Sequence, residues 1–186
     1  MRTFLAIELD DDCRDELARA VGDLKRAASG VRWVKPDSLH VTLKFIGEMK
    51  PADLPVAIDC LQEAARAVEP FTMSVAGLSG FPPRGTPRVI HVHADAPGDV
   101  FERLHEAVEQ ALAQELGVSP ENRRYIPHIT LGRVKNRGKC PPLETMKEAV
   151  PDDDFGEVNV DAFVLMESDL QPDGAVYTVL HRFPLG

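Results

Sequence analysis

Two tetrapeptides, His40-Val41-Thr42-Leu43 and His128-Ile129-Thr130-Leu131, stand 88 residues apart and constrain this chain more than any other feature. Each alternates polar and apolar residues, the pattern of a strand with one face against a core. His and Thr share one face of each strand, and the aliphatic pair shares the other. With six His and seven Thr in the chain, two such tetrapeptides arise by chance in about one chain in a thousand. The same offset carries an apolar helical pattern in 13–28 (Leu17, Val21, Leu24, Ala28) onto residues 101–116. The match predicts an internal duplication: one domain, 1–186, made of two pseudo-symmetric lobes, roughly 1–87 and 88–186.

The remaining pattern is that of an α+β chain. Strands are expected at 2–8, 39–46 (ended by Gly47), 71–78, 88–94, 127–134, 158–167 and 176–183. Helices are expected at 13–28, from Pro51 to about Val68, at 100–116 and near 143–150. Residues 31–37 and 80–87 read as connectors, Asp152-Asp153-Asp154 as a solvated loop, and Pro172-Asp173-Gly174 as a hairpin turn.

Composition narrows the function classes. No run approaches 18 apolar residues, so no segment reads as a membrane span. The opening Met1-Arg2-Thr3-Phe4-Leu5-Ala6-Ile7-Glu8 reads as a strand and not a signal peptide. Three cysteines without a CxxC suggest a reducing compartment, hence a cytoplasmic protein, with no disulfide or zinc framework. The net charge of −9 argues against non-specific coating of nucleic acid. Residues 91–186 carry 9 basic against 17 acidic residues, yet 123–139 holds Arg123, Arg124, Arg133, Lys135, Arg137 and Lys139 with no acid. Such a local basic spot suits a compact anionic ligand.

Two imidazoles on facing strands supply one neutral base and one protonated acid near neutral pH. Two hydroxyls supply short donors for the non-bridging oxygens of a phosphate. Neither a carboxylate cluster nor a Gly-rich phosphate loop accompanies the motifs. The inventory fits phosphodiester cleavage by paired histidines without a metal or other cofactor. His91 and His93 share a strand face, but no third ligand sits at a telling spacing, and a zinc site needs three or four.

On these residues the chain resembles the 2H phosphoesterases, and within them the bacterial and archaeal RNA 2′,3′-cyclic phosphodiesterases, also called 2′-5′ RNA ligases. The likeness extends to Leu39–Glu48, Gly80-Phe81-Pro82, Pro127–Arg133, Glu167-Ser168 and Phe183-Pro184-Leu185. It implies a bilobal α+β fold, with antiparallel sheets lining a V-shaped cleft and helices outside. It implies hydrolysis of a 2′,3′-cyclic phosphate to a 2′-phosphomonoester, with His40 the proton donor and His128 the proton acceptor. Thr42 and Thr130 would bind substrate. Arg133 and Phe45, equivalent under the offset, would help hold the nucleotide, although strict alternation puts them on the face opposite the histidines. Tyr125 is a further candidate for the cleft. Trp33 reads as lobe packing, Lys44 as a solvated lysine, and His105 as surface or structural. Arg133 beside the second motif is expected to lower the pKa of His128 relative to His40.

Substrates would be RNA ends or small cyclic nucleotides, acted on by a monomer without an obligate protein partner. Three alternatives stay open: a reversible 2′-5′ RNA ligase, a 2′-5′ oligonucleotide phosphodiesterase, or a nucleotide-binding module without turnover.

Overall fold

The computed structural model describes residues 1–172 and 174–186. The chain runs β1 (Arg2–Glu8), α1 (Asp11–Ala27), β2 (Val31–Trp33), β3 (His40–Glu48), α2 (Leu54–Arg66), β4 (Phe71–Phe81) and β5 (Val89–Asp95). It continues through α3 (Val100–Leu116), β6 (His128–Val134), α4 (Leu143–Ala149), β7 (Asp154–Val160), β8 (Ala162–Gln171) and β9 (Gly174–Pro184). The expected α+β architecture is present.

The helices begin and end where local chemistry favours it. Asp10 caps α1 by accepting the Cys13 amide at 2.9 Å, with Asp11 and Asp12 in the first turn and Lys25 and Arg26 in the last. The face carrying Cys13, Leu17, Ala20, Val21 and Leu24 is buried. Helix α3 stops at Gly117, whose φ of 64° is the left-handed turn that a glycine adopts without a Cβ penalty. Helix α2 packs against α3, and α1 against α4 and β7. They cover a continuous apolar core that reaches from Leu5 to Leu185.

All nine strands join one antiparallel sheet in the order β7-β4-β5-β6-β3-β1-β8-β9, with β2 also on β6. The two wings of this sheet are not the two halves of the chain. β4, from the first half, lies outside β5, and β8, from the second half, lies outside β1. β2 joins β4 in the wing of β6, and β9 joins β8 in the wing of β3, so the lobes drawn at residue 87 exchange two strands each way. The wings meet at β3 and β6, where the recorded pairing is Val41 with Ile129. Beyond that point the strands part, and β2 takes the β6 edge through Val31–Val134, Arg32–Arg133 and Trp33–Gly132.

Both motif strands carry a bulge at the same place. β1 pairs Ala6 with Thr42 and Leu5 with Lys44, skipping Leu43. β5 pairs His91 with Thr130 and Ile90 with Gly132, skipping Leu131. An extra residue reverses the alternation beyond it. Phe45 and Arg133 therefore return to the histidine side of their strands, and both are exposed while residues 43–44 and 131–132 are buried.

Several local expectations are corrected. Gly47 does not end its strand: β3 continues through it to Glu48, with Gly47 at φ 86°. The 31–37 connector contains β2. The expected strand 158–167 divides at Asp161 between β7 and β8. Asp154 opens β7, and the Asp153 carboxylate accepts the Leu78 amide at 2.7 Å, so this acidic run is partly built into the sheet. β8 and β9 form the expected hairpin, paired from Ala162–Pro184 to Gln171–Gly174; Asp173 of its predicted turn lies outside the described residues.

Candidate active site

On the register fixed by Val41–Ile129, His40 stands across from Thr130, and Thr42 across from His128. All four line one cleft of about 600 Å³. Behind them Val41, Leu43, Ile129 and Leu131 are fully buried and anchor the two strands.

The two imidazoles are held alike. His40 Nδ1 lies 2.8 Å from the Ser38 carbonyl oxygen, and His128 Nδ1 lies 2.7 Å from that of Ile126. A carbonyl only accepts, so Nδ1 carries a hydrogen in both rings and Nε2 is left for chemistry. His40 Nε2 is 3.1 Å from Thr42 Oγ1. Phe4 and Tyr177 pack on His40 with centroids at 5.1 and 5.4 Å. Phe81 and His91 pack on His128 at 5.1 and 5.0 Å.

Burial holds both imidazoles below the ordinary histidine value, against the upward pull of their carbonyl bonds. The Arg133 guanidinium adds to the lowering at both rings, so its charge does not act on His128 alone as the sequence suggested. A pair of rings set this way can hold one neutral and one protonated imidazole about a single anionic group.

A family profile described as the 2′-5′ RNA ligase superfamily matches residues 13–172. The chain belongs to this superfamily. An RNA 2′,3′-cyclic phosphodiesterase of Methanothermobacter thermautotrophicus is 32% identical over 185 residues, covering 100% of this chain and 99% of the relative. A Thermus thermophilus protein of the same name is 36% identical over 190 residues, covering 100% and 90%. A Thermus thermophilus crystal structure superposes with a TM-score of 0.83 at 35% identity, covering 100% of this chain and 98% of that one. E. coli LigT in complex with 3′-AMP superposes with a TM-score of 0.74 at 25% identity, covering 99% and 97%.

Within this 2′-5′ RNA ligase superfamily fold, the other candidates separate. Arg133 and Phe45 line the cleft, brought there by the bulges. Tyr125 is not among the cleft-lining residues. It sits behind β3, where its hydroxyl donates to the Thr42 carbonyl at 2.9 Å and its ring stacks on His105 at 4.3 Å. Its part is to brace the strand that carries His40 and Thr42.

Lys44 is not solvated. It is 2% exposed, donates to the Ser119 carbonyl at 3.1 Å, and pairs with Glu109. Burial pushes the Glu109 carboxyl up, but the Lys44 bond and the Glu121 amide outweigh it and leave the carboxyl below its ordinary value. The bulge explains the mistake: it turns Lys44 off the His40 face.

The basic stretch 123–139 divides too. Arg133 and Lys135 line the cleft, whereas Arg124 lines a separate hollow beside His93, and Arg137 donates to the Thr86 carbonyl at 2.7 Å. Trp33 both packs on the core and lines the cleft. Arg2, Arg32, Lys35 and Tyr177 also line it and were missed. Arg2, Arg32 and Tyr177 reach it through strand pairing of distant segments, and Lys35 lies in the segment that follows β2; no local pattern displays this. Among the described residues, no group of three or more His, Cys, Asp or Glu is placed to hold a metal ion, and no helix is long and apolar enough to cross a membrane.

Proposed function

We propose that this protein hydrolyses RNA-type 2′,3′-cyclic phosphates to 2′-phosphomonoesters, using His40 as acid and His128 as base. The observation that carries the reading is the matched tethering of the two rings. Each Nδ1 is committed to a carbonyl, and each ring lines the same cleft beside a threonine. The names of the relatives at 32% and 36% identity support the same chemistry.

In this reading the cyclic phosphate sits between the two Nε2 atoms, with Thr42 and Thr130 donating to its non-bridging oxygens. Neutral His128 takes a proton from water as the water oxygen attacks phosphorus. The bond from phosphorus to O3′ breaks, and protonated His40 delivers its proton to O3′. The products are a 2′-phosphomonoester and a free 3′-hydroxyl. Exchange with solvent returns both rings to their starting states. Thr42 and Thr130 hold the charge that builds on the non-bridging oxygens, and such placed donors are most effective where water is excluded. Arg133 and the exposed ring of Phe45 hold the nucleotide by charge and by stacking.

Incubation with 2′,3′-cyclic nucleotides in excess EDTA tests this directly. The expected result is turnover to the 2′-phosphate alone. Formation of the 3′-phosphate would reverse the leaving group, and no turnover would leave the site a binding module.

A further inference from the structure

The two imidazoles stand on either side of the joint between the wings, where the recorded backbone pairing is Val41 with Ile129. One such pair acts as a pivot. It leaves the angle between β3 and β6, and with it the separation of the rings, to be fixed from elsewhere.

Behind β3, the segment leading from α3 into β6 is fastened to β3 twice. Lys44 Nζ donates to the Ser119 carbonyl at 3.1 Å, and Tyr125 Oη donates to the Thr42 carbonyl at 2.9 Å. Helix α3 holds the same segment: the Glu109 carboxylate accepts the Glu121 amide at 3.0 Å and pairs with Lys44. Immediately after Tyr125, the Ile126 carbonyl accepts the Nδ1–H of His128 at 2.7 Å. One peptide unit therefore separates the bond to the strand of His40 from the bond that orients His128. Pro127 follows, and its fixed φ leaves little slack before His128.

The chemistry of these anchors is directional. A buried ion pair contributes little more stability than apolar side chains of like volume. What Lys44 supplies and a methionine would not is aim: its ammonium meets Glu109, the Ser119 carbonyl and, at 3.9 Å, Glu121. Tyr125 is held in turn by its ring, stacked on His105 at 4.3 Å and 7° from parallel. Desolvation pushes its phenol above the ordinary value, so the hydroxyl stays a donor.

We infer that the 119–126 segment is a strut that sets the separation of His40 and His128, with Lys44 and Tyr125 as positioning residues of the hydrolysis. Neither lines the cleft, and each acts through the imidazoles. The inference rests on the paired-histidine reading of the site. A misplacement of about 1 Å can cost about 100-fold in rate, so a loosened strut shows in kcat.

The test uses two variants. Tyr125→Phe keeps the ring on His105 and removes only the bond to Thr42. On adenosine 2′,3′-cyclic phosphate its kcat falls about tenfold while KM changes by less than about twofold, because the loss lies in the transition state. Lys44→Met/Glu109→Leu removes the ion pair without stranding a charge; its kcat stays about tenfold low while its resistance to denaturant returns toward that of wild type. NMR of the imidazole N–H protons gives a readout that needs no turnover. In Tyr125→Phe the His128 Nδ1–H exchanges with solvent faster, and that of His40, tethered to Ser38, does not. Wild-type kcat in the double variant, a raised KM with kcat unchanged in Tyr125→Phe, or unchanged exchange at His128 overturns the strut. If wild-type protein turns over no cyclic phosphate, yet exchange at His128 still quickens in Tyr125→Phe, the activity falls and the strut stands.

Discussion

His40 and His128 are tethered by the same bond: each directs Nδ1 to the carbonyl oxygen two residues earlier, at 2.8 Å from Ser38 and 2.7 Å from Ile126. Ser38 and Ile126 are themselves 88 residues apart, so the offset that relates the motifs also relates their supports. Fixing the tautomer this way prepares Nε2 of both rings for proton transfer. His40→Ala and His128→Ala should each lower kcat by at least about 100-fold, the usual contribution of one acid or base. Neither should shift the thermal midpoint much, since the rings lie on the cleft side of their strands. Near-wild-type turnover in either would dismiss the paired mechanism.

The pH dependence has a definite direction. Burial lowers both imidazoles, and Arg133 lowers them further. Since kcat/KM reports the free protein, its bell should be centred on the acid side of 6.5, the ordinary histidine value. Its two limbs belong to the coupled pair and not to either ring. Removing Arg133 with Arg133→Gln should move the bell toward higher pH. A profile centred well above 6.5, or one indifferent to Arg133, would contradict the lowered values.

Lys44, which is buried, pairs with the partly buried Glu109 behind β3. Lys44→Met leaves that carboxylate without its cation, which costs up to about 3–5 kcal/mol, the range typical of a fully buried pair. Denaturant unfolding should show a loss of this order. The double variant Lys44→Met/Glu109→Leu should regain much of it, because the stranded charge is gone. A single variant as stable as wild type would mean that the pair contributes nothing.

His91 is wholly buried, and its two ring nitrogens have no partner among the described residues. Burial first, then His128 and His93, lowers its pKa to about 4 from 6.5. With the folded value depressed, its contribution to stability is complete above 6.5 and is lost as pH falls from there toward 4. Across that window the loss amounts to at most about 3 kcal/mol. His91→Phe should pack on Phe81, remove two unpaired polar atoms, and flatten the decline of stability in acid. An acid transition as steep as in wild type would show that His91 is not responsible for it.

What was legible in the sequence was what repeats over a helix or over one strand face. The 100–116 helix matches its expectation at both ends, because Leu104, Val108 and Leu112 recur at helical spacing and Gly117 stops it. The two motif strands were legible for the same reason. β2 was not: three residues have no period, and they are a strand only because β6 offers an open edge and Gly132 lets Trp33 approach. Phe45, Arg133 and Lys44 were harder still. Their facing depends on one extra residue in each strand, visible only in the pairing with β1 and β5. Tyr125 lies near the second motif in sequence, but it points away from the cleft to support the first.

The exchange of β2 and β4 for β8 and β9 between wings makes the molecule interlocked. A cut in the 82–87 segment would give one fragment in which β4 loses β5 and β7 and β2 loses β6, and another in which β7 loses β4 and the β8–β9 hairpin loses β1. Each would expose unpaired strand edges to solvent, and each would keep only one of the two motif histidines. Mixed together, they can re-form five strand pairings: β1–β8, β2–β6, β3–β6, β4–β5 and β4–β7. Phosphodiesterase activity recovered from two inactive pieces would therefore report on reassembly of the whole sheet, and the protein is suited to serve as a split reporter whose signal requires these pairings to close.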